Sequence, residues 1–400
     1  MLKKRLITGI LAIFILTLCG CTPSEQVPEN DAPDAAQSQS AAPESTKQPK
    51  PDRMKELLQS MTLEEKIYQL FFVTPEDLSG TNTTTTADET FLETLKQRPV
   101  GGMVLFAKNI INRQQTANLI SAAQKGSKIP LFVGVDEEGG RVSRVFANPN
   151  MGFEAIPPML QIGKSGDKQQ AYDVSNTIAA GISELGFNLD FAPVADVLTN
   201  PNNTAIGNRA FSSDPKVAAD MVAAAVKGFH AGGVSTAVKH FPGHGSTVAD
   251  THTGYTESTS TLDALRKTEF LPFAAGIAAG TDFVMVAHIS LPNAIMSDTP
   301  SSLSKMVITD LLKGELEFNG LVITDSLRMG AVTDSYTPGE AAVAALTAGV
   351  DVLLMPENLE LAANGVLEAV NAGTISEQRI DDSVLKILRK KEARGIIQSN

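Results

Sequence analysis

Residues 235–254 read Ser-Thr-Ala-Val-Lys-His-Phe-Pro-Gly-His-Gly-Ser-Thr-Val-Ala-Asp-Thr-His-Thr-Gly and change character after Val238. The first four residues end an apolar run of strand length. The rest is rich in Gly, Pro, Ser and Thr, a composition that neither a helix nor a buried strand tolerates, and it holds three of the chain's five histidines. A strand that ends in a polar, titratable loop is where an α/β enzyme carries its chemistry, so we expect a functional site here.

Asp250 and His252 lie two residues apart in this loop. A turn can place the carboxylate of Asp250 on one imidazole nitrogen of His252 and leave the other nitrogen facing a substrate. That contact would orient the ring and raise its basicity, as a general acid/base requires. The alternative is a polar loop whose histidines only cap and hydrogen-bond the backbone, and the pair alone does not decide between the two.

Residues 1–20 have the pattern of a lipoprotein signal peptide. A basic start is followed by the apolar run 6–18 and by Cys19-Gly20-Cys21. This ending resembles the bacterial lipobox, so we expect export and a lipid on Cys21 at the mature N-terminus. An uncleaved membrane anchor is the alternative, but the run is short for a span and no stop signal follows it. Both cysteines lie here, so the mature chain would have no disulfide and no thiol nucleophile.

Residues 21–51 consist mainly of Pro, Ser, Ala, Gln, Glu and Asp, with no aromatic residue. Such a segment buries too little apolar surface to offset its ordering entropy, and it is predicted to be a lipidated, disordered linker. Residues 52–400 remain for a catalytic domain. The formal net charge of −12, without a basic stripe, argues against nucleic acid as a partner. We therefore expect a neutral partner, small or polymeric, outside the cell.

Eight apolar runs of strand length alternate with helical patterns along this domain. The runs are residues 68–73, 101–106, 130–135, 186–192, 235–238, 282–288, 320–324 and 351–355, and the predicted helices include 113–126, 168–185, 215–231, 262–279, 304–316, 339–349 and 377–394. Runs that are apolar throughout suit a parallel sheet buried on both faces. The count favours an α/β fold of the (β/α)8 TIM barrel type. A doubly wound sheet is the alternative, although no Gly-x-Gly-x-x-Gly follows the first strand.

Polar residues end most of these runs, and in a barrel the ends of all strands meet on one face. Asp136, Asp196, the Lys239-His240 pair, His288 and Asp325 occupy such positions, and Arg209 lies in the loop after the fourth strand. Each alone could be a helix cap or a satisfied polar group. Asp325 gives the sharpest signal, because a carboxylate at the mouth of a rigid strand can act as a nucleophile if Lys239 and Arg209 keep it ionised.

Asp325 and His252 together form a pair with two catalytic roles. Glycoside hydrolysis normally uses two carboxylates, one that attacks the anomeric carbon and one that donates a proton. Here a His-Asp pair would replace the second carboxylate.

The motifs together resemble glycoside hydrolase family 3, in its β-N-acetylhexosaminidase branch. The matching segments are Lys239-His240-Phe241-Pro242-Gly243-His244-Gly245, Asp250-Thr251-His252, residues 136–144, Gly207-Asn208-Arg209-Ala210-Phe211, Ala287-His288-Ile289 and Ile323-Thr324-Asp325-Ser326-Leu327-Arg328-Met329. They occur in consistent order over residues 54–394. Taken together they are highly specific, whereas Gly-Gly-Arg or Thr-Asp alone would not be.

The resemblance implies a (β/α)8 barrel that removes a terminal, non-reducing β-linked N-acetylglucosamine with retention of configuration. Asp325 would attack C1, and His252, oriented by Asp250, would act as acid and then as base. The sugar hydroxyls would be held by Asp136, Arg144, Arg209, Lys239 and His240. No cofactor is implied.

Departures from the family pattern are small. Thr251 stands where Ser is common, and Glu137 where Gln is common, which could alter the field beside Asp136. His244 is expected to shape the loop. Many relatives carry a second domain, whereas this chain ends soon after the last barrel helix, so a contribution from such a domain is expected to be absent. That also disfavours the β-glucosidase branch, whose acid/base comes from outside the barrel.

The leading hypothesis is an exported β-N-acetylglucosaminidase that acts on cell-wall muropeptides or chitin-type oligosaccharides. A lipid would anchor it to the outer face of the cell membrane, or it would be periplasmic. A phosphorylase is the second enzyme hypothesis, because a neutral imidazole would not repel phosphate. A lipoprotein that captures a sugar for a transporter fits the export signal equally well. The histidines lack the spacing of a zinc site, so no metal is expected.

Overall fold

The computed structural model describes residues 52–247, 251 and 254–398. They belong to the compact unit Pro51–Asn400. The predicted signal peptide, Cys21, the linker, and both Asp250 and His252 lie outside the described residues.

Eight parallel strands form the sheet, and each strand pairs with its neighbours in the sequence. β8 also pairs with β1, and the remaining seam, between β7 and β8, is closed by a bridge of Ile323 with Val352 and a Thr324 N–H···O=C Val352 bond of 3.1 Å. The strands are β1 Phe71–Val73, β2 Gly102–Val104, β3 Phe132–Val135, β4 Leu189–Asp190, β5 Ser235–Phe241, β6 Phe283–Val286, β7 Leu321–Thr324 and β8 Leu353–Leu354. The predicted (β/α)8 barrel is confirmed, and a doubly wound sheet is excluded.

Helices surround the barrel and follow its strands. They are α1 Arg53–Gln59, α2 Leu63–Gln69, α3 Pro75–Ser79, α4 Glu89–Gln97, α5 Arg113–Gly126, α6 Met159–Gly163, α7 Lys168–Ser183, α8 Pro215–Ala231, α9 Leu262–Lys267, α10 Phe270–Ala278, α11 Pro292–Ile295, a π-helix Met306–Glu315, α12 Gly330–Thr333, α13 Pro338–Ala348, α14 Leu359–Asn371 and α15 Glu377–Ala393. Within the described ranges, no helix has the length and apolar character that crossing a membrane requires.

The helix predicted at 262–279 is two helices, because α9 ends at Lys267 and α10 begins at Phe270. Pro272 explains the break: its ring would collide with the carbonyl of Thr268 in a continuous helix. The break turns Glu269 inward, where its Oε2 accepts the N–H of Val197 at 3.2 Å in the loop after β4. Burial, followed by the charge of Asp196, raises the pKa of Glu269 to about 8.

Aromatic rings from three strands fill the barrel interior. Phe132 lies 5.7 Å from Phe72 and 5.1 Å from Phe283, measured between ring centroids. Gly102 on β2 is required beside them, because a Cβ there would lie 2.8 Å from the ring of Phe72. These rings make the barrel a packed core below the strand ends.

Lys391 on α15 is fully buried at this core. Its Nζ donates to Oε1 of Gln69 at 3.0 Å and lies 5.9 Å from the ring centroid of Phe132. Among the described residues no carboxylate pairs with it. Burial without a counter-charge lowers the pKa of Lys391 to about 7.

Replacing Lys391 with methionine should therefore stabilise the fold most at low pH. Between about pH 7 and the unfolded value of about 10.4 the unfolded lysine binds a proton that the folded one lacks, so wild-type stability rises with pH across this window. The penalty is fully present below about pH 7 and disappears near pH 10. In urea unfolding at pH 6.5, the free energy of unfolding of the methionine variant should exceed that of the parent by about 1–2 kcal/mol. This figure allows for the cost of leaving Oε1 of Gln69 without its donor. A pH-independent difference between the two proteins would contradict the assignment.

Candidate active site

A cavity of about 180 Å³ opens at the carboxyl ends of the strands. Six residues that the sequence singled out line it: Asp136, Arg144, Arg209, Lys239, His240 and Asp325. They come from different strands and loops, and they meet because a parallel barrel presents all its carboxyl ends on one face. Apolar side chains complete the wall, among them Val104, Phe106, Phe191, Met285 and Leu354. The placement brings these residues together, and their roles stay predictions.

Asp325 directly follows β7, and its backbone N–H donates to the carbonyl of Val286 at 2.9 Å. Its Oδ1 accepts the N–H of Ser326 at 2.7 Å. Burial raises the pKa of this carboxyl, but the positive charges of His240, His288 and Lys239 and the Ser326 N–H outweigh burial, so the pKa is lowered. Asp325 is therefore ionised at neutral pH.

Lys239 and His240 both line the cavity although they are adjacent on β5. Side chains in a regular strand alternate between faces. The pairing of β5 with β6 shifts register between Val238 and Phe241, where three steps along β5 oppose two along β6. This extra residue is a β-bulge, which re-aims side chains near functional sites. β5 continues to Phe241, beyond the end predicted at Val238.

Four charged side chains form a network across the cavity wall. Nζ of Lys239 lies 2.7 Å from Asp136 and 2.6 Å from Glu138. Arg209 holds both oxygens of Glu138 at 2.8 Å. Burial would raise the pKa of Glu138, but Arg209 and Lys239 lower it far below its usual range. Burial would lower the pKa of Lys239, and its two carboxylate partners raise it instead.

Glu138 was not predicted as a site residue. It lies two residues after Asp136, and extended residues two apart face the same side. That spacing could have identified it from the sequence. The intervening Glu137 instead points away from the cavity, where its Oε2 accepts the N–H groups of Arg144 and Val145 at 2.8 and 2.7 Å. Burial raises the pKa of Glu137 despite these bonds.

The chain offers a matched pair of substitutions here. Glu138→Gln leaves Lys239 and Arg209 with one carboxylate fewer, and we expect a loss of about 2–4 kcal/mol in the free energy of unfolding. Glu137→Gln keeps an oxygen for the N–H groups and should cost less than about 1 kcal/mol. Urea unfolding of both variants at pH 7 measures the contrast. Equal losses would mean that burial, and not the ion pairs, sets the requirement for Glu138.

Arg144 is held in place by the loop that Glu137 anchors. In the described part of the chain its Nε, although buried, has no hydrogen-bond partner. Buried polar groups are normally paired, so this guanidinium is available to a ligand in the cavity. Arg141, on the same loop, donates to the carbonyls of Thr204 and Ala205 at 2.7 and 2.5 Å, and thereby ties the loop after β3 to the loop that carries Arg209.

Asp196 orients His240 and the loop after β5. Its Oδ2 accepts Nδ1–H of His240 at 2.7 Å, and its Oδ1 accepts the backbone N–H of His244 at 2.6 Å. Burial would raise the pKa of Asp196, but the two histidines lower it. Nε2 of His240, on the other side of the ring, lies 3.2 Å from Nη2 of Arg209.

His244 and His288 support the backbone around the cavity. The Nδ1 of His244 lies 2.6 Å from Thr247 Oγ, and its Nε2 lies 3.4 Å from Thr251 Oγ. These contacts on both sides of the Asp250 region agree with the loop-shaping role expected of His244. His288 donates from Nε2 to the carbonyl of Ser326 at 2.8 Å, directly beyond Asp325. Across residues 52–247, 251 and 254–398, no cluster of three His, Cys, Asp or Glu residues could hold a metal ion.

Comparisons with known proteins place this geometry in context. Residues 62–390 match the family described as glycosyl hydrolase family 3 N terminal domain. The chain is 33% identical over 335 residues to beta-hexosaminidase A of Pseudoalteromonas piscicida, a match that covers 77% of this chain and 56% of that protein. It is 40% identical over 280 residues to the beta-hexosaminidase of Stenotrophomonas maltophilia, covering 68% of this chain and 81% of that protein.

A solved structure is also similar. The glycoside hydrolase family 3 beta-N-acetylglucosaminidase from Paenibacillus sp. str. FPU-7 has a TM-score of 0.80 and 34% sequence identity, covering 85% of this chain and 64% of that one. The chain thus spans less than two thirds of the length of this protein and of the Pseudoalteromonas relative.

Proposed function

Because the chain belongs to glycosyl hydrolase family 3, we propose that it is a retaining β-N-acetylglucosaminidase. The observation that carries this proposal is the state of the three carboxylates in the cavity. Asp136 and Glu138 are held in salt bridges. Asp325 is ionised, and among the described residues only a backbone N–H donates to its side chain. Asp325 is therefore the carboxylate with an oxygen available for attack.

The reaction proceeds in two displacements. In the first, an oxygen of Asp325 bonds to C1 while the bond from C1 to the leaving oxygen breaks, and that oxygen takes a proton from His252. In the second, water gives a proton to His252 and attacks C1, which releases Asp325. Asp136 and Glu138 are committed to cations, which disfavours them as proton donors. The resemblance to the family assigns the proton transfer to His252, oriented by Asp250, and two inversions at C1 give retention.

The remaining cavity residues position the sugar. Arg144 offers an unpaired buried Nε, and Asp136, Arg209, Lys239 and His240 present charged or strongly polarised groups to the hydroxyls. Hydrogen bonds to ions are roughly twice as strong as those between neutral groups. Holding the sugar ring in a reactive geometry lowers the entropic part of the activation barrier for the reaction at C1.

The cavity also supports attack at a chain end. Its volume of about 180 Å³ has room for a single sugar ring. Arg141 joins the loops after β3 and β4 along one side of it. The enzyme would release one non-reducing sugar at a time. The N-acetylglucosamine assignment is supported by the names of the relatives, and the natural glycan would be a muropeptide or a chitin-type oligosaccharide.

We also propose that the protein is exported and lipid-anchored through Cys21. The support is the sequence of residues 1–21. Cys21→Ser should abolish incorporation of an alkyne-tagged fatty acid in cells and release the protein from the membrane fraction. Retention of the label in the variant would refute this part of the proposal.

The test of the proposed activity is release of nitrophenol from p-nitrophenyl β-N-acetylglucosaminide by the chain lacking residues 1–21. Hydrolysis gives free N-acetylglucosamine, whereas phosphorolysis in added phosphate would give the sugar 1-phosphate. Cleavage of the β-glucoside in preference would refute the substrate. Sugar that stays bound without any cleavage would favour a capture protein.

A further inference from the structure

The described loops after β5 and β6 lie together on the face of the barrel that carries the cavity. Ser290 accepts the N–H of Ser258 at 3.0 Å and donates to the carbonyl of Thr256 at 2.9 Å. At the start of the first segment, a Cβ on Gly254 would lie 3.6 Å from Asp334, in the region that follows Asp325. Segments 254–260 and 289–300 thus form one rim, which follows the tied loops after β3 and β4 in the order of the strands. We call these two segments the β5–β6 rim.

Two large side chains on this rim are exposed. Tyr255 is 56% exposed, and Met296 is 94% exposed. Tyr255 is held by its hydroxyl, which donates to Oε2 of Glu257 at 2.9 Å and lies 3.5 Å from Oδ1 of Asp298. Met296 has a φ of 54°, in the left-handed region that a side chain disfavours. Neither side chain packs into the core. A non-glycine residue in the left-handed conformation, as at Met296, often marks a functional site.

The β5–β6 rim is also acidic. Glu257, Asp298 and Asp334 lie on or against it. The two segments contain no lysine or arginine. A carboxylate brought to this surface would meet like charges, whereas a neutral or cationic group would not.

We propose that Tyr255 and Met296 form the site for the aglycone, and that this site favours a neutral or cationic sugar over one bearing a carboxylate. This inference rests on the proposed function. The cavity holds a single ring, so the remainder of the substrate lies outside it. The proposed proton donor His252 is two residues before this segment in the sequence, and the leaving oxygen must lie within hydrogen-bond reach of the acid. The aromatic face of Tyr255 and the thioether of Met296 then contact the second sugar.

The first experiment compares Tyr255→Ala and Met296→Ala with Leu361→Ala, a control on α14 that is also 56% exposed. The substrate is the neutral disaccharide of two β-1,4-linked N-acetylglucosamines. Tyr255→Ala should lower kcat/KM about tenfold, and Met296→Ala about threefold. The inhibition constant of free N-acetylglucosamine, which occupies only the cavity, should stay unchanged. Leu361→Ala should match the parent in both measurements.

The second experiment tests charge. The parent should cleave the neutral disaccharide at least about fivefold more efficiently than the disaccharide whose second sugar carries a lactyl carboxylate, and the ratio should shrink with added salt. The double variant Glu257→Gln, Asp298→Asn should lower this ratio toward one. Each of the two substitutions keeps a carbonyl oxygen that can accept a hydrogen bond from the hydroxyl of Tyr255.

The outcomes separate the two proposals. If the parent cleaves both disaccharides and Tyr255→Ala behaves like Leu361→Ala, or if the carboxylate-bearing substrate is preferred, the aglycone site is refuted while the proposed function stands. If the parent releases N-acetylglucosamine from neither disaccharide nor from the aryl glycoside, both proposals are refuted together.

Discussion

Asp325→Asn should lower kcat on p-nitrophenyl β-N-acetylglucosaminide by about 10³-fold or more, because the amide cannot form the glycosyl-enzyme. The replacement keeps the size of the side chain and its acceptor for the Ser326 N–H, which lies 2.7 Å from Oδ1. It also removes a charge that His240, His288 and Lys239 stabilise, so we expect a modest loss in the free energy of unfolding as well. The measurement is nitrophenol release under saturating substrate, with urea unfolding of the same samples.

Asp310→Asn provides the control for this substitution. Asp310 is an exposed carboxylate on the π-helix, and its replacement should leave kcat unchanged. Azide offers a further readout with Asp325→Gly, because an external anion can enter the vacated space and form the α-glycosyl azide. Wild-type turnover by Asp325→Asn would assign the nucleophile to another group.

His252→Ala should show a loss that depends on the leaving group. For a sugar aglycone, which must be protonated as it leaves, kcat/KM should fall by about 10²–10⁴-fold. For a dinitrophenyl glycoside, whose leaving group needs no proton, the fall should be within about tenfold. The use of kcat/KM confines the comparison to formation of the glycosyl-enzyme, before His252 is needed to activate water.

His230→Asn is the matched control, because His230 pairs with Asp282 in the described structure and does not line the cavity. It should leave the ratio of the two substrates unchanged. Asp250→Asn should reproduce part of the leaving-group dependence, since the imidazole would lose the group that orients it. Equal losses on both substrates in His252→Ala would argue that His252 positions the substrate and donates no proton.

The architecture and the meeting of six residues were predictable from the sequence for a physical reason. In a parallel barrel the residue after each apolar run must lie on the same face as all the others, so Asp136 and Asp325 could be placed together without any contact information. For this prediction it was enough to locate the end of each strand to within a residue or two. The exact bounds of the helices were not needed.

Other features depend on packing that the sequence pattern does not report. Lys239 and His240 share a face only because β5 bulges against β6. Glu138 and Glu137 are both acidic neighbours of Asp136, and their opposite directions follow from where Arg209 and the N–H groups of residues 144 and 145 lie. Glu269 fell within the helix predicted at 262–279. Pro272 in the same stretch indicated the break that turns Glu269 inward.

The seam between β7 and β8 gives Asp325 an unusual support. The hydroxyl of Thr324, the residue before Asp325, accepts the backbone N–H of Leu354 at 3.0 Å and so replaces a carbonyl in the ladder. The strand that carries the attacking carboxylate is thus fastened to its neighbour partly by a side chain. If this seam parts on warming, Asp325 leaves the cavity while most of the core stays packed. Heat inactivation and melting of the helices would then be separate events, and the first would set the upper working temperature.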